Sequence, residues 1–413
     1  MKKIFNMILL SSLLLIPTYK EVTLVENQNI KFIKDSRINS DKKIKNVILF
    51  IGDGMGPNHV DAGNIFKGSP LTFDKVDEKW SYHAYVNTDS LSSEAFKLDT
   101  SKSLIRPDLN QTLYKGSTNG ITCYTDSAAA GSSLATGKKY TNSSISLDIE
   151  GNEVETTLEI AKKLNKKAGV ISSDQITGAT PSSFYAHCPT RNDYKEILED
   201  CARSKADLVL CKNKSTFKNN KEYYENLYKE NGFDKVIYNK NDLDSSSSRL
   251  LGLFDKITTK DNDYRVPSLK ELTGFALDFL DNENGFFLMV EGAYIDKQSH
   301  AHQGGMMLDE LMAFDNAISL CESWCQGRDD TLIIVTADHE TGGLYFDSSK
   351  ANKDSIDTQI KWLTGGHSRT RVDLSVYGDI SSFIKCYSSN FSTLEGLPYW
   401  DNTDVFKLCA SYL

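Results

Sequence analysis

The chain has 413 residues, 39% hydrophobic and 25% charged. That is enough for a large buried core in one big domain or two ordinary ones. A formal net charge of −9 leaves no basic face for nucleic acid evident, but it does not oppose an anionic ligand held through bound cations. Eight cysteines in so long a chain do not make a disulfide scaffold, none has a zinc-type spacing, and their pairing is not readable.

Lys2 and Lys3 precede an apolar run from Ile4 to Ile16, broken by Asn6, Ser11 and Ser12. The run is too short to span a bilayer comfortably and fits the apolar part of an export signal. Residues 1–19 are therefore expected to be a signal peptide, and the protein to be exported to a periplasm or the extracellular space. Pro17-Thr18-Tyr19 lacks the usual small-residue cleavage pattern. Retention as an uncleaved anchor is the alternative. Residues 20–44 read as a polar leader, and 45–413 as a single domain.

Asn46 to Ile51 is a continuous apolar run of the kind buried parallel strands have. It ends in Gly52-Asp53-Gly54-Met55-Gly56, whose glycine spacing is wrong for a dinucleotide fingerprint. An aspartate at a buried strand's end suits a ligand or metal instead. Residues 88–120 read as a polar surface excursion. Glu155–Lys166 is predicted as a helix with Leu158, Ala161 and Leu164 on one face. A strand follows at Ala168–Ser172, then a helix from about Asp193 with Tyr194, Ile197, Leu198 and Cys201 in helical register. Ala206–Leu210 is a further strand. The Lys/Asn/Tyr-rich segment 212–265 reads as the least ordered part after the leader. Ser268–Leu280 is predicted helical, Phe286–Val290 a strand ending in Glu291, and Thr331–Thr336 a strand leading to Asp338-His339. Cys321 and Cys325 fall on one helical stripe with Leu311, Phe314 and Ile318, so buried thiols are expected. Strands alternating with helices imply an α/β fold with a mostly parallel sheet.

Chemistry concentrates in a few places. Cys123-Tyr124-Thr125-Asp126-Ser127-Ala128-Ala129-Ala130-Gly131 opens a helix of small residues, with Ser127 at the N-terminus, where amides and dipole favour an anion. A serine there is either a cap or a nucleophile holding a phosphate. Asp53, Glu291, Asp296, His300, Asp338, His339 and His367 stand beside strand ends, where open α/β sheets place ligands. Asp296 and His300 are four apart. On a helix that spacing gives two ligands for one metal or a plain salt bridge. The chain has seven histidines, and three of them lie in this set, which favours metal.

These segments together resemble the alkaline phosphatase family. The Asp-Gly-Met-Gly loop at Asp53, Thr-Asp-Ser-Ala-Ala at Ser127, and Ala-Thr-Pro at Thr180 with a following His and Arg191 come in the family's order. So do Val-Glu-Gly…Ile-Asp-Lys…His from Glu291 to His300, Thr-Ala-Asp-His-Glu at Asp338, and a late Gly-His at His367, all within residues 46–378. The resemblance implies a three-layer sandwich with helices on both faces of a large central sheet. With 27 residues between His339 and His367, any crown-like insertion is small.

The resemblance also implies hydrolysis of phosphate monoesters through a phosphoserine at Ser127, two zinc ions, one magnesium ion and a homodimer. It groups Asp53, Asp338 and His339 on one zinc, and Asp296, His300 and His367 on the other. Asp53, Thr180 and Glu291 offer only oxygen to the magnesium. Arg191 would clamp phosphate, and Lys297 would contact it through water. His187 and His302 read as structural, or as supports behind the metal ligands. A phosphodiesterase of the same superfamily and a non-catalytic phosphate-binding protein are the rival readings. The chain departs from the pattern at Gly178, where relatives often carry Asp or His, so a weakly held magnesium is expected. It departs again after His367, where Ser-Arg-Thr replaces the frequent Val-Pro.

Overall fold

The described residues form thirteen strands: β1 (Asn46–Gly52), β2 (Tyr82–Asn87), β3 (Lys167–Gln175), β4 (Leu208–Lys212), β5 (Lys235–Ile237), β6 (Leu250–Phe254), β7 (Phe286–Gly292), β8 (Thr331–Thr336), β9 (Glu340–Thr341), β10 (His367–Ser368), β11 (Val372–Tyr377), β12 (Ser392–Leu394) and β13 (Leu397–Asp401). The structure is a computed structural model that describes residues 38–39, 43–80, 82–94, 124–388, 391–394 and 396–413. The signal peptide, nearly all of the leader, most of the 88–120 segment and Cys123 lie outside the described residues.

Eleven strands form one sheet in the order β12-β13-β2-β11-β8-β1-β7-β3-β4-β6-β5. From β8 to β5 all neighbours are parallel, and β11 runs antiparallel to β8. β9 and β10 make a separate antiparallel pair. Every residue of β1, β7 and β8 is buried, as expected of apolar strands covered on both faces.

Alternation along the strands shows that cover. Phe50 meets Phe314 edge-on from the helix Gly304–Trp324 on one face. Phe287 is in register with Val47, three residues from Phe50 and hence on the opposite face. It stacks on Phe184 there. The predicted stripe of Leu311, Phe314, Ile318, Cys321 and Cys325 is buried, and the cysteines among the described residues are free thiols.

Two local expectations are corrected. The helix spans Thr157–Lys163, so Leu164 falls at its C-cap and is 49% exposed. Segment 212–265 is ordered: it holds the helices Ser215–Asn219 and Lys221–Glu230 and the strands β5 and β6. Phe217, Tyr224, Tyr228 and Phe233 pack ring on ring there and are buried. These four aromatics supply the apolar area that the Lys/Asn-rich composition concealed.

Register decides where the chemistry gathers. Ile51 of β1 is level with Glu291 of β7 and Thr336 of β8, and Ser172 of β3 is level with Glu291. The carboxyl ends of the four central strands therefore bring Glu291, Asp53 and Asp338 to one edge of the sheet, where such sheets hold ligands.

Candidate active site

Asp126, not Ser127, caps the helix Ser127–Thr136: its carboxylate accepts from the Ala129 amide at 3.0 Å. It also accepts from the Ser143 amide at 3.1 Å and from Arg191 Nη1 at 3.1 Å. With capping done by its neighbour, Ser127 is free for chemistry. Its buried hydroxyl lies 3.2 Å from His339 Nε2.

Two donor groups flank that hydroxyl. Ligand atoms of Asp53, Asp338 and His339 lie within 4.8 Å of one another, and so do those of Asp296, His339 and His367. His300 joins the second group. Its Nε2 is 3.2 Å from Asp296 Oδ1 and 3.2 Å from His367 Nε2, while His367 Nε2 is 3.7 Å from Asp296 Oδ1. Asp296 and His300 share the short helix Tyr294–His300, so the four-residue spacing does put both on one face. His339 stands between the groups, its ring stacked on His367 with centroids 3.6 Å apart.

The outer contacts fix the imidazoles. Nδ1 of His367 donates to the Thr125 carbonyl at 2.7 Å, and Nδ1 of His300 to the Gly365 carbonyl at 2.7 Å. Nδ1 of His339 faces the Thr341 hydroxyl at 3.3 Å, which in turn donates to Asp296 Oδ1 at 2.5 Å. In each ring the remaining Nε2 points inward, the arrangement that outer hydrogen bonds impose on metal-binding histidines. Gly54 draws the segments together. Its φ is +73°, its amide donates to Asp338 Oδ1 at 3.1 Å, and a Cβ there would stand 2.9 Å from Asp296 Cα.

The donors also fit cations electrostatically. Asp53 Oδ1, Asp338 Oδ2 and Thr180 Oγ1 are buried and have no hydrogen-bond partner, which is costly for oxygen atoms unless an ion takes them. Burial, then the charges of Asp338, Asp296 and Glu291, push the Asp53 carboxyl well above the ordinary carboxylate range. Burial and Asp296 push Asp338 up to about 7, and burial with Asp174 pushes Glu291 up to about 8. The Asp296 hydrogen bond raises His300 to about 9. Buried like charges of this kind are stabilised by positive ions.

The other residues singled out in the sequence make definite contacts of their own. Arg191 reaches Asp126 at the head of the serine helix. Lys297 ion-pairs with Asp174 and lies 4.7 Å from the Tyr294 ring centre. His187 bonds the Ser146 carbonyl at 3.0 Å and Glu159 at 3.3 Å. His302 bonds the Thr364 carbonyl at 2.8 Å and stacks on Trp362. His59 and His83, for which the sequence offers no partner, bond Ser299 and Ser375. Sequence reasoning missed Asp126 as the contact of Arg191, and Thr341 as the link between His339 and Asp296. Asp126 was signalled by its place before a run of small residues; nothing local signalled Thr341.

A parallel α/β sheet that gathers buried carboxylates and inward-facing imidazoles around a serine hydroxyl defines a metal-binding, hydrolase-like fold. A sequence model described as alkaline phosphatase matches residues 44–382; the chain belongs to the alkaline phosphatase family. It is 32% identical over 324 residues to alkaline phosphatase 3 of Bacillus subtilis, covering 75% of this chain and 64% of that one. It is 29% identical over 357 residues to the Escherichia coli alkaline phosphatase, covering 73% of this chain and 71% of that one. The match thus spans somewhat less than two thirds of the Bacillus relative. Among solved structures, the alkaline phosphatase of the Antarctic bacterium TAB5 superposes with a TM-score of 0.68 at 26% identity, over 90% of this chain and 98% of that one. A variant of that enzyme was solved with magnesium in its M3 site.

Proposed function

We propose that this chain is an alkaline phosphatase that hydrolyses phosphate monoesters to an alcohol and inorganic phosphate through a phosphoserine at Ser127. The carrying observation is the freed Ser127 hydroxyl, 3.2 Å from His339 Nε2, between two sets of donors, one of which holds the unpartnered buried oxygens of Asp53 and Asp338. Ser127 Oγ attacks phosphorus, the ester oxygen leaves and takes a proton, and water then cleaves the phosphoserine. Arg191 binds two phosphate oxygens, a bidentate contact its fork geometry suits.

Asp53, Asp338 and His339 would hold one zinc, and Asp296, His300 and His367 the other. Both are three-ligand N/O sets that leave a position open. Asp53, Thr180 and Glu291 would hold magnesium, which prefers oxygen. When bound, the zinc ions supply Lewis-acid stabilisation of the attacking and leaving oxygens. Lys297 would meet phosphate through water. Export through residues 1–19, a catalytic domain at 45–413 and a homodimer complete the reading. No helix among the described residues is long and apolar enough to cross a membrane.

The test is turnover of nitrophenyl phosphate against bis-nitrophenyl phosphate, with metal analysis of the same protein. Preference for the monoester with zinc bound is expected. Preference for the diester would favour the phosphodiesterase reading, and neither turnover would favour a binding protein.

A further inference from the structure

Asp174 is a carboxylate that the proposed reaction does not use. It follows Ser172 by two residues, and the two are knit together: the Asp174 amide donates to Ser172 Oγ at 2.8 Å, and the Ser172 hydroxyl donates to Glu291. One oxygen of Asp174 meets Lys297 Nζ. The other points at Gly178, where a Cβ would stand 2.8 Å from Asp174 Oδ2 and 3.0 Å from the Gln175 carbonyl. Gly178 has φ −60° and ψ 145°, a conformation open to any residue. A side chain at Gly178 would therefore be crowded by its surroundings rather than barred by its backbone: it would press on the Gln175 carbonyl and displace the Asp174 carboxylate, which takes up that space.

Charge points the same way. Asp53, Glu291 and Asp174 can carry three negative charges, of which Lys297 offsets one. Beside them, Thr180 Oγ1 and Asp53 Oδ1 are buried without a partner. Magnesium keeps several waters when protein-bound, and those waters need acceptors that hold them in place.

We propose that Asp174 is the acid that completes the third cation site. Fixed by Lys297 and accommodated by Gly178, its carboxylate accepts hydrogen bonds from the waters of a magnesium ion held by Asp53, Thr180 and Glu291. This rests on the magnesium reading of those three residues. It also reverses the expectation drawn from Gly178: the acid is present, four residues earlier in the chain.

The test uses zinc-loaded enzyme stripped of magnesium and titrated with magnesium chloride. Bound magnesium and zinc are measured by elemental analysis after equilibrium dialysis, alongside the magnesium-induced rise in thermal midpoint. Asp174→Asn should need about 10–100-fold more magnesium for half occupancy, the usual range for an outer contact, with zinc content unchanged. Asp174→Ala combined with Gly178→Asp, which returns a carboxylate to the same space, should recover most of that loss. Magnesium uptake by Asp174→Asn equal to that of the parent overturns the assignment. So does a folded, zinc-loaded double variant no better than Asp174→Asn. A parent enzyme that takes up no magnesium overturns the third-site reading itself, a result distinct from either.

Discussion

Replacing Arg191 by alanine isolates phosphate recognition from the rest of the site. Its side chain is 34% exposed and its guanidinium pairs with Asp126, so removing it breaks a partly solvated ion pair worth about 0–1 kcal/mol to stability. Asp126 keeps the Ala129 and Ser143 amides as partners, so the cap on the serine helix survives. Binding is where the loss falls. Hydrogen bonds to a charged group are worth about 1.5–3 kcal/mol, which is roughly ten- to a hundred-fold in affinity. The partial exposure of Arg191 favours the lower half of that range. The assay is the inhibition constant of inorganic phosphate, read with kcat/KM for a nitrophenyl monoester and the thermal midpoint. Arg191→Ala should raise the constant and lower kcat/KM with little change in midpoint. Arg191→Lys should recover charge but not the bidentate geometry, and so only part of the affinity. An unchanged inhibition constant in Arg191→Ala would refute the clamp.

Ser127→Ala should keep the fold and the metals, because Asp126 does the capping, yet lose several orders of magnitude in kcat; near-native turnover would remove Ser127 from the reaction. His339→Ala should release more zinc than His300→Ala, since His339 is buried between both donor groups while the His300 side chain is 37% exposed at the rim; elemental analysis of the two variants decides it, and the reverse order would contradict the assignment. A fourth prediction concerns stability against pH. Burial alone would lower His187, but its bond to Glu159 holds it above the ordinary value, while burial would raise Glu159 and His187 holds it below. The histidine's contribution is therefore full below about pH 6.5 and lost as pH rises through its folded pKa. The glutamate's is present above about pH 4.3 and lost on further acidification. The midpoint difference between parent and His187→Asn should accordingly be larger at pH 5.5 than at pH 8.5; an equal difference at both would show that the pair does not titrate with folding.

Much of this site was legible because parallel strands convert sequence into position. An apolar run ending in an acid, as at Ile51–Asp53, Val290–Glu291 and Val335–Asp338, places the acid at the carboxyl edge whatever the strand order. The order and register were not legible, because they depend on pairing between residues hundreds of positions apart. The Asp296–His300 spacing could be read as a shared helical face, but not whether a third donor would meet it. Asp126 is of a residue type that caps helices, but its contact with Arg191 needed the fold. The role proposed for Asp174 was invisible, because it rests on a contact with Lys297, 123 positions away, and on the missing side chain of Gly178. Segment 212–265 misled because its buried aromatics are dispersed among lysines and asparagines on short helices, too short for a periodic signal.

The central claim is that Ser127 becomes covalently phosphorylated during turnover. Zinc-loaded enzyme mixed with a phosphate monoester, quenched in acid and mapped by mass spectrometry tests it most directly. Phosphate is expected on the peptide containing Ser127, absent from Ser127→Ala treated identically and lost from the parent as substrate is exhausted at alkaline pH. Turnover with no phosphate on that peptide at any quench time, or phosphate on a different residue, would contradict it.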